Sequence, residues 1–541
     1  MIRPRVAGAH LWLAAILLAA AALRAAMLGW GLPNAFHTAT YNCDESTALT
    51  ALAGMDPAAL DFNPVSERFP NALAEGTFNL YVYGAVLKSL SLAGLVNLVP
   101  DSDHYADKPR EAARLYLAGR LLSLLYGLLT VWAVYLLGAA AAGSRAGLLA
   151  ALFTALMPAH IVYSSYVIQN VPGAFWITLA LFFLSRVAGR GETRDYVLAG
   201  VCSGLAAATR FSAAPLALML PLAHFLRGPG RGWKGPALAV GAALAAYAAG
   251  APYTFLDFPS FLYGMKALSS VVATGAAFTL AEKLRLFASA HYEALGPALL
   301  ALGAAGAVAA GLRRDRTSLL LLAWVLLLVP FYLKAGTVMT PGRILPSLPP
   351  LMALAGLAAD RLWAWRPAAG RLAAALAGAQ ALVFAAAFIP LAAGTDIRDE
   401  ASAWLQERLA AGGTVGLIRE PSWFSPGILD KAYRRASVLP GTRLLYLGGG
   451  EFSSLPSLDA LRRLRPDLVV LSSSEERFLP GAGEAILASG YSEIKSFERE
   501  FSVLGFGAGR PVPDMFYIPR RITVYGPGRA EEGPNHVRNT R

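Results

Sequence analysis

The sequence predicts an α-helical polytopic membrane protein with about eleven transmembrane helices, followed by a C-terminal extracytoplasmic α/β domain. Three observations support this fold class. Only 15% of the 541 residues are charged and 56% are hydrophobic, whereas a soluble protein carries about 25% charged residues. Apolar runs long enough to cross a bilayer recur through residues 1–394. Residues 395–527 have instead the composition and the alternating strand and helix patterns of a soluble domain.

The membrane spans are predicted from apolar runs close to the ~20 residues that a helix needs to cross the hydrocarbon. These runs are 9–31, 115–141, 148–166, 171–188, 196–226, 236–255, 294–311, 318–333, 344–360 and 372–394. The run at 196–226 is interrupted at Thr209-Arg210-Phe211, so we interpret it as a hairpin of two short helices. The first run is long and has no small-residue cleavage site, which predicts a retained membrane helix rather than a signal peptide.

Basic residues orient the predicted spans. Residues 1–393 contribute +11 of the net charge of +12, and their arginine clusters all fall on one face when 78–99 is not counted as a span. Because basic loops mark the cytoplasmic side, we expect 78–99 to form an amphipathic or re-entrant helix on the outer face. Residues 32–114 then form one extracytoplasmic loop, and the N-terminus is cytoplasmic. This use of the basic residues predicts a lipid bilayer, and no nucleic acid, as the partner of the positive charge.

The acidic residues point to the outer face. Ten of them lie in the predicted 32–114 loop: Asp44, Glu45, Asp56, Asp61, Glu67, Glu75, Asp101, Asp103, Asp107 and Glu111. The interiors of the predicted spans lack acidic residues, which argues against an ion-coupled transporter, because such proteins keep carboxylates inside their helices. Asp44 and Glu45 stand together about a dozen residues after the first span. Adjacent carboxylates can activate a hydroxyl as a general base or hold a divalent cation, whereas the alternative is that Asp44 caps a helix.

Three further segments follow this acidic pair in a characteristic order. They are Met157-Pro158-Ala159-His160 with Gln169-Asn170-Val171-Pro172, the pattern G-x-x-x-G-L-A-x-x-T-R-F-x-x-x-P from Gly200 to Pro215, and Pro341-Gly342-Arg343-Ile344-Leu345-Pro346. In this order and topology, the chain resembles the GT-C superfamily of membrane glycosyltransferases over roughly residues 9–360. It is most similar to bacterial members of the protein O-mannosyltransferase and aminoarabinose-transferase group.

The resemblance implies an enzyme of the bacterial inner membrane that takes a sugar from a polyprenyl-phosphate donor. It implies transfer to a protein, lipid or polysaccharide acceptor at the extracytoplasmic face. Asp44 would deprotonate the acceptor, and Glu45 would orient it or share in a divalent-cation site. A second-loop carboxylate of the family falls on Asn170, beside Gln169 and near His160. Because an amide cannot neutralise a cation, Asn170 argues against a two-carboxylate metal site.

Three basic residues at the predicted outer face suit a phosphate-linked leaving group: Arg343, Lys334 and Arg210. Negative charge develops on the phosphate as the glycosidic bond breaks, and a guanidinium group can hold it through two hydrogen bonds. The alternative for each residue is snorkelling to lipid headgroups, and for His160 it is a structural role. Two other functions stay open at this point: a lipid or polysaccharide transporter, and a non-catalytic envelope assembly protein.

The C-terminal domain is predicted from alternating short strands and amphipathic helices. Strands are expected at 414–418, 444–447, 468–471 and 522–525, with helices at 399–411 and 459–464. This order is typical of a Rossmann-like sheet. Gly448-Gly449-Gly450 follows a strand but lacks the G-x-G-x-x-G pattern, so no dinucleotide site is predicted. The tail 528–541 is expected to be disordered.

Overall fold

The structure is a computed structural model that describes residues 8–99, 102–228, 232–273, 278–335, 340–409, 412–418, 424–427, 442–447, 459–476, 479–499, 501–503, 506–507 and 518–528. Within these residues the chain forms a helical membrane part and a small α/β domain, which confirms the predicted fold class. The triglycine 448–450 and the tail from residue 529 lie outside the described residues.

The membrane part contains eighteen described α-helices. They are α1 (Ala9–Ala25), α2 (Cys43–Ala53), α3 (Phe78–Leu92), α4 (Ser102–Asp107), α5 (Pro109–Ala142), α6 (Ser144–Leu156), α7 (Pro158–Tyr163), α8 (Asn170–Gly189), α9 (Thr193–Thr209), α10 (Leu216–Leu226), α11 (Lys234–Gly250), α12 (Tyr253–Leu256), α13 (Phe258–Ala273), α14 (Leu280–Arg313), α15 (Arg316–Ala335), α16 (Pro341–Ile344), α17 (Leu348–Trp365) and α18 (Pro367–Ala393). Every predicted apolar run overlaps at least one of them.

Six of the described helical segments are long and apolar enough to cross a membrane: α5, α8, α14, α15, the α16–α17 segment and α18. Shorter apolar helices occur at α1, α6 and α10. These lengths make the chain a multi-pass membrane protein. The helix α3 is 15 residues long. Because α6, which lies in a predicted span, has only 13 residues, this length does not decide whether α3 crosses the membrane, and its exclusion from the spans stays a prediction.

The predicted interruption of the 196–226 run is present. Helix α9 ends at Thr209, Arg210 has extended backbone angles, and α10 begins at Leu216 after a 3₁₀ turn at Phe211–Ala213. The side chain of Arg210 is therefore carried by a bend between two short helices rather than by the middle of a span.

Two glycines of the G-x-x-x-G segment explain how α9 packs on α11. A Cβ atom at Gly200 would overlap the carbonyl oxygen of Ala239, and one at Gly204 would overlap that of Ala243. Small residues spaced four apart let two membrane helices approach to backbone contact. This part of the motif therefore serves helix packing.

The α/β domain is built on a five-stranded mixed sheet of order β2-β1-β3-β7-β4. Its elements are α19 (Ile397–Arg408), β1 (Gly413–Leu417), β2 (Thr442–Tyr446), α20 (Asp459–Leu464), β3 (Leu468–Ser472), α21 (Ser473–Glu476), α22 (Ala482–Ala488), β4 (Tyr491–Glu498), β5 (Ser502–Val503), β6 (Phe506–Gly507) and β7 (Arg521–Pro527). The first three strands are parallel, with Val415 paired to Leu444 and Leu468. The last two run antiparallel to their neighbours. All four predicted strands are present, and β4 is an addition that the sequence pattern did not predict.

The domain rests directly on the last membrane helix. Phe501, just before β5, lies 5.6 Å from Phe384 of α18, measured between ring centroids. Phe501 and Ile518 are both buried in the same apolar cluster as the membrane helices. A second contact, between α19 and the segment that precedes α2, is described below because it reaches the candidate site.

Candidate active site

Helix α2 separates the two adjacent carboxylates of the predicted pair. Asn42 caps this helix, and its side-chain oxygen accepts a hydrogen bond from the Asp44 backbone nitrogen at 3.1 Å. Asp44 and Glu45 then lie in the first turn, where consecutive side chains point about 100° apart. Asp44 is exposed, whereas Glu45 is fully buried. The predicted capping role therefore falls to Asn42, and Asp44 presents its carboxylate at the surface of the site.

Glu45 is held in a buried ion pair with Arg120 of α5. The Arg120 Nε and Nη2 atoms donate to the two Glu45 oxygens at 2.9 and 2.6 Å, and the Val167 backbone nitrogen donates at 2.9 Å. Arg120 is also fully buried and donates to the carbonyl oxygens of Leu28 and Trp30 at 2.7 and 2.6 Å. This network joins α2, α5 and the segment that follows α1, so Glu45 helps to fix the position of its neighbour Asp44.

Arg210 and Asn170 meet at the bend between α9 and α10. The Arg210 guanidinium donates a hydrogen bond to the Asn170 side-chain oxygen. Asn170 begins α8, and its amide nitrogen lies beside the backbone of Gly342, where a Cβ atom would not fit. The absence of a side chain at Gly342 thus lets the Pro-Gly-Arg segment approach the start of α8 and brings the neighbouring Arg343 toward the same place.

Two carboxylates lie within electrostatic range of the two arginines. Asp44 and Glu75 both interact electrostatically with Arg210 and with Arg343. The structure therefore brings together Asp44, Asn170, Arg210 and Arg343, which lie in four separate regions of the sequence. We call this group, with Glu75, the polar cluster. It combines exposed carboxylates with guanidinium groups that can hold an anion.

Glu75 was not singled out by the sequence as a site residue. It ends a 3₁₀ turn, Ala72–Glu75, and is followed by Gly76 with a φ of 87°. A Cβ atom at Gly76 would overlap the carbonyl oxygen of Thr209, so this backbone lies directly against the end of α9. The Glu75-Gly76 pair therefore places the Glu75 carboxylate within electrostatic range of Arg210. In the sequence, the feature that could have indicated Glu75 is an acidic residue followed directly by a glycine.

The other predicted site residues lie in different environments. Gln169 is partly buried at the N-cap of α8, next to Asn170. Lys334 is exposed in the last turn of α15. His160 is fully buried, and its Nδ1 atom lies 2.7 Å from the Arg24 Nη2 atom. That position, inside the bundle and paired with the arginine of α1, suits the structural alternative for His160.

The described residues do not supply a matching ligand set for a cation at Asp44 and Glu45. Both Glu45 oxygens accept hydrogen bonds from Arg120, and Asn170 gives its oxygen to Arg210. Among the described ranges, no group of three or more His, Cys, Asp or Glu residues is placed to hold a metal ion. The divalent cation therefore stays a prediction from the resemblance, and no chemical step below passes through it.

Comparison with known proteins supports this reading of the fold. The model of the dolichyl-phosphate-mannose-protein mannosyltransferase family matches residues 115–253. This range contains Asn170 and Arg210 and does not include Asp44 or Arg343. No curated protein sequence matches the chain.

The chain is similar to two solved structures. ArnT from Cupriavidus metallidurans, in a structure bound to undecaprenyl phosphate, is 15% identical with a TM-score of 0.50, covering 95% of this chain and 97% of that chain. The Archaeoglobus fulgidus oligosaccharyltransferase, tethered to an acceptor peptide, is 14% identical with a TM-score of 0.46, covering 94% of this chain and 77% of that one. The family match and the likeness to ArnT confirm the resemblance that the motifs indicated, a GT-C-type membrane glycosyltransferase fold.

Proposed function

We propose that the protein is a membrane glycosyltransferase that moves one sugar from a polyprenyl-phosphate donor to an acceptor at the outer face of a bacterial inner membrane. The family match over 115–253 and the GT-C fold support the reaction class. The observation that carries the proposal is the polar cluster, where the exposed carboxylate of Asp44 interacts electrostatically with Arg210 and Arg343. A carboxylate within electrostatic range of two guanidinium groups suits a reaction that removes a proton from the acceptor and releases a phosphate.

Asp44 acts as the general base in this proposal. It takes the proton of an acceptor hydroxyl or amine while the oxygen or nitrogen of that group forms a bond to the anomeric carbon of the sugar. The bond between the anomeric carbon and the phosphate oxygen breaks, and its electron pair leaves with the polyprenyl phosphate. Attack opposite the leaving group, without a covalent enzyme intermediate, inverts the anomeric configuration.

Arg210 and Arg343 stabilise the leaving phosphate. Guanidinium groups donate two parallel hydrogen bonds to phosphate oxygens, and such preformed donors stabilise charge that develops in the transition state. Asn170 serves by holding Arg210 through its side-chain oxygen. Lys334 is exposed in the last turn of α15. In this proposal its positive charge attracts the anionic headgroup of the donor.

Glu45 has a positioning role in this scheme. Its two oxygens are engaged by Arg120 and by the Val167 backbone nitrogen, so they hold the start of α2 in place.

The basic loops of the membrane part support an outward-facing site, because the positive-inside rule places them in the cytoplasm. The carboxylates of the first loop then lie on the opposite side of the membrane.

The test is transfer by purified protein in lipid nanodiscs, using a panel of polyprenyl-phosphate sugars and an envelope extract as acceptor source. Asp44→Asn is expected to lower the initial rate by about 100-fold or more, the usual contribution of a general base. Glu67→Gln, which removes the same charge from the same loop at an exposed position, is the matched control and keeps the wild-type rate. Full activity of Asp44→Asn would refute the base assignment, and a wild-type protein that moves lipid without breaking the glycosidic bond would identify a transporter instead.

A further inference from the structure

The first helix of the C-terminal domain contacts the segment that leads into α2. The Tyr41 hydroxyl donates to the Asp399 Oδ1 atom at 2.6 Å, and the Asn34 amide nitrogen donates to Asp399 Oδ2 at 2.9 Å. The Trp30 indole nitrogen donates to Asp396 Oδ2 at 3.2 Å. Each of these bonds joins residues that are more than 350 positions apart in the chain. We call Trp30, Asn34, Tyr41, Asp396, Arg398 and Asp399 the interdomain clamp.

Arg398 is the buried centre of the clamp. Its side chain is fully buried and pairs with Asp396, with two nitrogen–oxygen distances of 2.8 Å. The guanidinium carbon also lies 3.5 Å from the ring centroid of Tyr41 and 5.7 Å from that of Trp30. Such cation–π contacts strengthen when water is excluded. The Tyr41 ring is therefore held through its face as well as through its hydroxyl group.

The clamped segment leads directly to the base candidate. The Tyr41 backbone nitrogen donates to the Gly31 carbonyl oxygen at 3.2 Å, which closes the loop between residues 31 and 41. The next residue, Asn42, is buried and caps α2 by accepting from the Asp44 backbone nitrogen. No flexible residue separates the clamp from the cap, since Tyr41 and Asn42 are adjacent. The direction of the Asp44 side chain thus depends on where the α/β domain holds Tyr41.

We infer that the C-terminal domain positions Asp44 for transfer, and that Tyr41, Arg398 and Asp399 are positioning residues of the reaction. This inference rests on the proposed function of Asp44. It assigns the domain a part in the active site itself, beyond acceptor recognition or support. A displacement of the general base by about 1 Å can cost about 100-fold in rate, so loss of one clamp contact is expected to lower kcat while donor binding is retained.

Tyr41→Phe is the most selective perturbation. It removes the hydrogen bond to Asp399 but keeps the ring that contacts Arg398. We expect kcat to fall about 10-fold with the KM for the donor unchanged within about twofold, because the base and not the phosphate site is displaced. Asp399→Ala is expected to act in the same way, and Asp399→Asn, which keeps an oxygen acceptor for Tyr41, to recover part of the loss.

Glu400→Gln is the matched control. Glu400 lies next to Asp399 on α19 but pairs with Arg499 at 2.7 Å, on the exposed side of the domain. This variant loses an ion pair of the same helix without touching the clamp, so its kcat should equal that of the wild type. Unchanged kcat in Tyr41→Phe and Asp399→Ala, or an equal loss in Glu400→Gln, would overturn the inference.

A second readout does not depend on activity. Hydrogen exchange of the backbone amides at residues 42–47 is expected to accelerate in Tyr41→Phe and to stay unchanged in Glu400→Gln, because only the first variant loosens the start of α2. Wild-type exchange in Tyr41→Phe would overturn the inference even if the protein transferred no sugar. Absence of transfer by the wild type, with accelerated exchange in Tyr41→Phe, would instead refute the proposed function and leave the clamp in place.

Discussion

Replacing Glu45 by Gln should separate the roles of two adjacent carboxylates. The Glu45 carboxylate is fully buried and accepts from Arg120 at 2.9 and 2.6 Å and from Val167 at 2.9 Å. Removing one partner of a buried ion pair costs about 3–5 kcal/mol, because the other charge is left uncompensated. A glutamine oxygen still accepts one of these hydrogen bonds, worth about 1 kcal/mol. We therefore expect the free energy of unfolding to fall by about 2–4 kcal/mol.

Asp44→Asn should show the opposite pattern. Asp44 is exposed in the first turn of α2, so its replacement by an isosteric amide leaves packing intact. The transfer rate should fall by about 100-fold or more, while the thermal midpoint stays near that of the wild type. Both variants are measured in one preparation, with intrinsic fluorescence for thermal unfolding and the initial transfer rate normalised to folded protein.

The reverse pattern in the two variants would contradict these roles of Asp44 and Glu45. If Glu45→Gln kept the wild-type midpoint and lost activity as completely as Asp44→Asn, Glu45 would take part in the chemistry and its buried pair with Arg120 would not describe the working enzyme. Glu67→Gln serves again as the control for removing one charge from the first loop.

Three further outcomes follow from the site and the clamp. Arg343→Lys keeps the charge but loses the planar guanidinium group, so we expect kcat/KM for the donor to fall about 10-fold, with a larger loss in Arg343→Gln. A wild-type kcat/KM in both variants would argue against phosphate binding by Arg343. Treatment with EDTA should leave the transfer rate within about twofold of the untreated value. The oxygens of Asn170 and Glu45 that could bind a cation already accept hydrogen bonds from Arg210 and Arg120. Loss of activity that added Mg²⁺ or Mn²⁺ restores would reveal a required cation. The His37 ring stacks on that of Tyr41, with centroids 4.0 Å apart, and its Nε2 atom lies 3.5 Å from Asp399 Oδ1. Burial lowers the pKa of His37, with Asp399 and Asp396 raising it and Arg398 lowering it. The unfolded chain therefore binds more protons below pH ~6.5, and stability falls as the pH drops through that value. His37→Asn should flatten the difference in thermal midpoint between about pH 7.5 and 5.5, and an unchanged difference would contradict this assignment.

The membrane spans could be predicted because their signal is local. A run of apolar residues defines a helix that must satisfy its own backbone hydrogen bonds in lipid, and a break such as Thr209-Arg210-Phe211 marks where the run bends. Four strands of the α/β domain could also be predicted, because each is a short apolar stretch between helical segments. The strand β4, Tyr491–Glu498, could not, because five of its eight residues are exposed. Its pairing with β7, which is distant in sequence, stabilises it as a strand.

Which of the two carboxylates, Asp44 or Glu45, is buried could not be predicted. Adjacent letters in the sequence gave no indication of which carboxylate would turn inward, since that depends on Arg120, 75 residues further on. The resemblance predicted Asp44 as the base, and the structure adds that Asp44 is exposed while Glu45 is buried. The arginines Arg210 and Arg343 were predicted one by one, and the fold brought them into one cluster with Asp44.

The clamp shows the limit of sequence reasoning most clearly. Tyr41 and Asp399 are 358 residues apart, and each belongs to a segment whose local pattern is explained without the other. Asp396 has the sequence position of a helix cap, and its side chain does accept from the Arg398 backbone nitrogen. Its second role, accepting from Trp30, appears only when the domain is placed against the membrane part.

We propose that the polar cluster holds the phosphate of a polyprenyl donor near Asp44, and a structure of the full chain with bound undecaprenyl phosphate tests this proposal. We expect phosphate density with oxygens about 2.7–3.2 Å from the guanidinium nitrogens of Arg210 and Arg343. Phosphate density held elsewhere on the protein, out of reach of both arginines, would contradict it.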